Sequence, residues 1–237
     1  MTPIRHERSG HVEILRLDRP QQRNAMNAEL LAELLEAMAR AAGDGDVRAL
    51  VFSTTDARAL SAGADMSEDL DAEAGVARMR LFTRLYAALD ETPLATVAVC
   101  VGNCVGAGAE LAAGCDVRVG GDNLKLGWVG ARHGVPVGPG RLVPLVGLSR
   151  AKELILTGRV IGAEESREIG FLHRVVAAGE AEAAAVEIAE LMAERPRETI
   201  AATKRMFRDL ERSAERVAYE NDLLMAFQRE GAGLPRR

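Results

Sequence analysis

A run of β-branched and small apolar residues, Thr96–Val101, leads into the glycine-rich segment Gly102–Gly108, and another strand-like run begins at Val117. Whatever helix follows the glycines must therefore end near Gly114. This stretch excludes two obvious readings. Gly106-Ala107-Gly108 is followed by Ala109-Glu110-Leu111, so the third glycine of a dinucleotide-binding G-x-G-x-x-G is missing. A helix of fewer than ten residues also cannot make the crossover of such a unit. With no G-K-[ST] present, the segment is not a phosphate-binding P-loop either. Small residues at the start of a short helix instead expose backbone N–H groups that lack intrahelical partners. They also let a ligand approach the main chain closely, and an anionic oxygen is the guest favoured there by the helix dipole. The Ser61–Ala64 turn is a second place of this kind. Either two N–H donors from the two turns converge on one oxygen, or both are simply tight, closely packed turns.

The rest of the chain alternates strands and helices before becoming helical. Val12–Leu17 reads as a strand ended by Asp18-Arg19-Pro20. Asn27 occupies a helix-cap position, followed at helical spacing by Leu30, Leu31, Leu34, Leu35 and Met38. Ala49–Thr54 is a second strand, Val76–Leu89 a helix, and Val117–Val119 and Arg174–Val176 short strands. Gly158 and Gly170 stand where helix C-caps belong. Glu182–Glu194 and Ile200–Phe227 read as helices. Strands among helices followed by helices alone imply an α/β core with a helical extension.

Composition narrows the function. The 237 residues suffice for one substantial domain with an appendage. A net charge of −5 lacks the clustered basic excess of a nucleic-acid binder. Aromatic residues make up only 3%, so Ala, Leu, Val and Ile must build the core. Cys100, Cys104 and Cys115 form no C-x-x-C pair, and the four histidines have no ligand spacing, so neither a disulfide framework nor a metal site is expected. No apolar stretch is long enough to span a bilayer. Without the apolar run of a signal peptide near Met1, the chain reads as cytoplasmic.

Four segments, in order, resemble the pattern of the enoyl-CoA hydratase/isomerase (crotonase) family. They are Asp18-Arg19-Pro20 with Arg23-Asn24-Ala25-Met26; Ser61-Ala62-Gly63-Ala64-Asp65-Met66; Gly106-Ala107-Gly108-Ala109-Glu110-Leu111 with Cys115-Asp116; and Leu156-Thr157-Gly158-Arg159 with Ala163-Glu164 and Gly170-Phe171-Leu172-His173-Arg174-Val175-Val176. The resemblance implies an α/β fold, a spiral of repeated ββα units over residues 1–176. Residues 177–237 would form a helical region for trimerisation and pocket cover, in a homotrimer or homohexamer. It further implies that a CoA thioester carbonyl sits between the N–H groups of Ala64 and Ala107, with Glu110 as acid/base. Ala62, Asp65 and Met66 would line the CoA path, with Arg23 and Ala25 nearby. No cofactor is implied beyond the CoA of the substrate, and neither nucleic acid nor membrane is an expected partner.

The departures are as informative. Family hydratases carry a second glutamate where Gly130 falls here, and Ala107 replaces a more usual glycine. The end at Arg237 implies a more open acyl pocket. Asp65, Arg132 and His133 are the other residues able to assist Glu110. One carboxylate suits double-bond migration, decarboxylation or slow hydration better than rapid hydration, and a non-catalytic acyl-CoA-binding protein is the alternative of another class. At Gly130 the expectation is conditional. A glutamate there restores hydration if the backbone tolerates a side chain.

Overall fold

The computed structural model describes residues 2–230. Its strands follow from the apolar runs. Ala49–Thr54 (β3) and Ala95–Cys100 (β5) are buried almost end to end, as strands of a parallel sheet covered on both faces must be. They lie in a six-stranded sheet of order β1-β2-β3-β5-β7-β9. Its other members are Ile4–Ser9 (β1), Val12–Leu17 (β2), Val117–Gly121 (β7) and Arg174–Val176 (β9). Only the β1–β2 pair is antiparallel, with Ile4 opposite Leu17.

Each of three successive sheet strands is followed by a shorter one that leaves for a second, all-parallel sheet of order β4-β6-β8. These are Ala59–Ser61 (β4), Asn103–Val105 (β6) and Lys125–Gly127 (β8). Helices Ala72–Glu91 (α2) and Ala107–Ala113 (α3) then carry the chain back after β4 and β6. The result is the expected α/β spiral of ββα turns. After β8 the chain instead makes a 3-10 turn at Val129–His133 and continues as Pro139–Val146 (α4), Leu148–Thr157 (α5) and Ala163–Glu168 (α6).

One sheet face is covered by α2, α3 and Ala28–Gly43 (α1), through a core that includes Leu30, Leu34, Phe52, Leu60, Phe82, Leu85 and Leu111. The opposite face is thinner. Ala181–Ala193 (α7) presents Ala181, Ala184, Ala185 and Ala189 to Val12, Ile14, Val51, Val97 and Val99, so small side chains bring the helix close to the sheet. Asn27 caps α1 as expected, and α2 starts earlier than its apolar spacing indicated, at a cap of its own. Asn27 accepts from the Leu30 N–H at 2.9 Å, and Asp71 caps α2 by accepting from the Ala74 N–H at 2.8 Å. Gly158 closes α5 in the left-handed region.

One expectation needs correction, and two elements were not foreseen. Ile200–Phe227 is not one helix. Arg197–Glu211 (α8) and Ser213–Glu230 (α9) are separated by Arg212, whose φ of 52° turns the chain back. Helix α4 was not indicated by the sequence, because it lies behind its own Pro139 and Pro144. Strand β1 was unforeseen because it is an edge strand with polar residues along most of its length.

The break at Arg212 also divides the apolar residues of the tail. Helix α9 packs on α2 and α4 and buries Val217, Glu220 and Leu224 at helical spacing. Met225 and Phe227 pack against the core as well. Helix α8 buries no residue and leaves Met206, Phe207 and Leu210 exposed.

Candidate active site

The two small-residue turns do meet. The chain leaves β4 through Ala62 and Gly63, and leaves β6 through Gly106 into the first turn of α3. Glycine is needed at the contact for steric reasons. A Cβ on Gly108 would lie 2.6 Å from the carbonyl oxygen of Ser61, and one on Gly63 3.1 Å from that of Val105. Gly63 and Gly106 also hold φ values of 97° and 53°, which side chains rarely adopt. A Cβ at Gly63 would sit 3.6 Å from the nitrogen of Ala107, so the two turns abut at the atoms of interest.

The first turn is fastened to the segment before α1. The Asn24 side-chain amide donates to the Thr54 hydroxyl and to the carbonyls of Ala59 and Leu60, while its oxygen accepts from the Arg19 N–H. The Ala62 N–H donates to the carbonyl of Arg23, and the Ser61 hydroxyl donates to that of Asn24. Arg23 and Asn24 both sit in the left-handed region. Asn24 is the positioning residue that sequence reasoning missed. Its signal is an asparagine between Arg23 and Ala25 in a stretch with no strand or helix pattern.

Among the described residues, no hydrogen bond takes up the N–H of Ala64 or of Ala107. Both residues line a cavity of about 110 Å³, together with Ala62, Met66, Phe82 and Gly130. Leu224 of α9 closes one side of it. Of the other residues the resemblance singled out, Arg23 is exposed on its turn and Ala25 is half-buried beside it. Neither lines the cavity.

Asp65 turns away from the cavity. Its carboxylate accepts from Arg19 at 2.9 Å and from the Ser67 hydroxyl at 2.6 Å. Burial pushes its pKa up, but the bonds from Ser67 and Arg19 outweigh that and hold it below the ordinary carboxylate range. Asp65 therefore fastens the loop and is unsuited to moving protons. Arg132 packs along Gly158, whereas His133 does line the cavity.

Glu110 is fully buried on α3 and is not among the residues lining the cavity. Its Oε2 accepts from Arg141 of α4, whose guanidinium stacks on the ring of Tyr86 at 4.1 Å from the centroid. Arg141 also donates to Glu220 of α9. Burial pushes the Glu110 pKa up to about 7; Arg141 opposes the rise and Glu220 adds to it. The indole of Trp128 also favours the charged form, but neither its N–H nor Oε1 of Glu110 makes a hydrogen bond within the described residues.

Gly130 does line the cavity, yet the condition for placing a carboxylate there fails. A Cβ would lie 2.8 Å from both the Val135 carbonyl oxygen and a Val137 methyl. A backbone oxygen cannot yield as a flexible side chain can, so position 130 excludes glutamate without rearrangement. Among the described residues there is no cluster of His, Cys, Asp or Glu that could hold a metal ion, and no helix long and apolar enough to cross a membrane.

Comparison with known proteins gives a consistent result. The sequence profile of the enoyl-CoA hydratase/isomerase family matches residues 7–231. A Mycobacterium bovis protein named as a probable enoyl-CoA hydratase is 35% identical over 208 residues, covering 85% of this chain and 80% of its own. The human mitochondrial enoyl-CoA hydratase domain-containing protein 2 is 36% identical over 191 residues, covering 78% and 65%. The crystal structure of an enoyl-CoA hydratase from Bacillus anthracis superposes with a TM-score of 0.84 at 26% identity, over 99% of this chain and 98% of that one.

Proposed function

The chain belongs to the enoyl-CoA hydratase/isomerase family, and from that premise we propose that it binds an acyl-CoA thioester with the carbonyl oxygen between the N–H groups of Ala64 and Ala107. The observation that carries this reading is that Ala64 and Ala107 line one cavity, with no hydrogen-bond partner for the N–H of either within the described residues. Chemistry beside a thioester carbonyl builds negative charge on its oxygen. Two fixed donors stabilise that charge at little reorganisation cost. Ala62 and Met66 line the way in, with Arg23 and Ala25 nearby on the turn fastened to Ala62. No cofactor is needed beyond the CoA of the substrate.

Glu110 then moves the proton. A carboxyl group with a pKa near 7 serves as either acid or base at neutral pH. A cavity of about 110 Å³ holds only a fragment of such a ligand, whose pockets usually measure about 300–1,000 Å³. The rest of the ligand therefore lies outside this cavity, and the acid/base role requires that Oε1 of Glu110, which has no hydrogen-bond partner within the described residues, reach the substrate. With one carboxylate and no room for a second at Gly130, double-bond migration or decarboxylation is favoured over rapid hydration.

The rival reading, a carrier that binds acyl-CoA without turnover, is favoured by the position of Glu110 outside the cavity wall. One experiment separates the two. Isothermal calorimetry with acetoacetyl-CoA, an enolate mimic, is paired with liquid chromatography and mass spectrometry on a panel of CoA thioesters, the chromatography resolving double-bond isomers of equal mass. We expect micromolar or tighter binding, and either loss of carbon dioxide or isomerisation for one member. Binding without turnover identifies the carrier. Absence of binding overturns both readings.

We also infer a homotrimer or homohexamer. Phe207 is 63% exposed and Leu210 78%, and both lie on a helix with no buried residue, so its apolar side is a face for another copy. Light scattering at micromolar concentration is expected to give three or six times the chain mass. A monomer would refute this.

A further inference from the structure

Glu220 enters the site from a distant part of the chain. Helix α9 carries it to the start of α4, where its Oε2 accepts from the N–H groups of Gly138 and Gly140 at 3.2 and 2.6 Å. Its Oε1 accepts from Arg141, which in turn donates to Glu110. All three side chains are almost completely buried. A lone buried ion is costly, and one guanidinium between two buried carboxylates can neutralise only one of them when both are ionised. Three further features show that the arrangement is constructed. Gly138, whose N–H donates to the carboxylate, holds a φ of 119° that side chains rarely adopt. A Cβ on Gly140 would lie 3.1 Å from Oε2 of Glu220, so glycine permits the close approach. The Tyr86 ring that Arg141 stacks on also lines the cavity.

We propose that Glu220 is a positioning residue that, through Arg141, sets both the orientation and the protonation of Glu110. The consequence for turnover rests on the acid/base role proposed for Glu110; the coupling between the two carboxylates does not. The groups facing Glu110 are Arg141 from α4, Glu220 from α9, Tyr86 from α2 and the indole of Trp128. Cys104 of β6 bonds instead to the carbonyl of Gly108. The two effects of Glu220 on Glu110 act in the same direction. Its negative charge opposes ionisation of Glu110, and its hold on Arg141 divides the guanidinium between two acceptors. Neutralising Glu220 therefore favours the charged form of Glu110 on both counts.

The test is a direct titration of Glu110 in the full-length protein, selectively labelled with ¹³C-glutamate, its signal assigned by its loss in Glu110→Gln. The titration midpoint is expected to fall by about one pH unit or more in Glu220→Gln. Glu220→Asp, which keeps the charge but withdraws it by one methylene, should lie between that variant and the wild type. If Glu220→Gln does not fold, the fall in Glu220→Asp is the measurement that decides. An unchanged midpoint in a folded variant overturns the proposal. The acid limb of the pH–rate profile should move with the midpoint, while KM stays near the wild-type value, because Glu220 does not line the cavity. A midpoint that falls while the acid limb stays in place leaves the coupling intact and removes Glu110 as the acid/base.

Discussion

Replacing Glu110 with glutamine is expected to lower turnover on the true substrate by about 10²-fold or more, with KM nearly unchanged. Glutamine keeps the size of the side chain and can still accept from Arg141, but it cannot carry the proton. The fold should survive the change, since Glu220 still pairs with Arg141. Removing one of two carboxylates around a single buried guanidinium leaves a neutral pair, a gentler change than stranding a charge. In the wild type, the base must be ionised to accept a proton. Activity in that direction should therefore rise with pH through about 7, where burial has placed the Glu110 midpoint. Steady-state kinetics from pH 5 to 9 on both proteins checks both points. A variant as active as the wild type would transfer the proton role to another group, with His133 of the cavity wall the first to test.

Ala107→Pro is expected to cost about 10²–10³ in turnover, the usual loss when one oxyanion donor is deleted. This is the cleaner of the two oxyanion substitutions. Ala107 is the first residue of α3, a position where proline is well tolerated and where the missing N–H takes nothing from the helix. The preceding residue, Gly106, has no Cβ to clash with the proline ring. Ala64 lacks these advantages, since it lies in a turn bridged to Met26, and proline there risks disturbing the fold. A melting temperature close to the wild type together with lost turnover is the expected pair of results. Full activity in a folded Ala107→Pro protein would remove this N–H from the proposed mechanism.

Much of the fold was legible because its signals are local. Val12–Leu17, Ala49–Thr54 and Arg174–Val176 form strands with the bounds their apolar runs indicate, and Asn27 caps the helix that the leucine spacing predicts. Elements whose stability comes from partners were not legible in this way. Strand β1 is a polar edge held by pairing with β2, and the three-residue strands β4, β6 and β8 are too short to show any period. The turn at Arg212 is a left-handed arginine with no glycine or proline to announce it.

The candidate site divides along the same line. The small residues and glycines marked two tight turns, because glycine's steric freedom belongs to the residue itself, and left open whether they offer backbone donors to one ligand. Whether those turns meet depends on contacts between residues distant in sequence, such as Gly108 against Ser61. Sequence marked Glu110 as the acid of the motif. Only the tertiary structure placed Arg141 and Glu220 around it, from helices that follow it by 31 and 110 positions, and so decided its environment. The tertiary structure alone also turned Asp65 away toward Arg19 and filled the space beside Gly130 with the Val135 carbonyl. The physical reason is that a side chain's chemistry is written in its own residue, whereas its pKa, its partners and the room around it depend on what the rest of the chain packs against it.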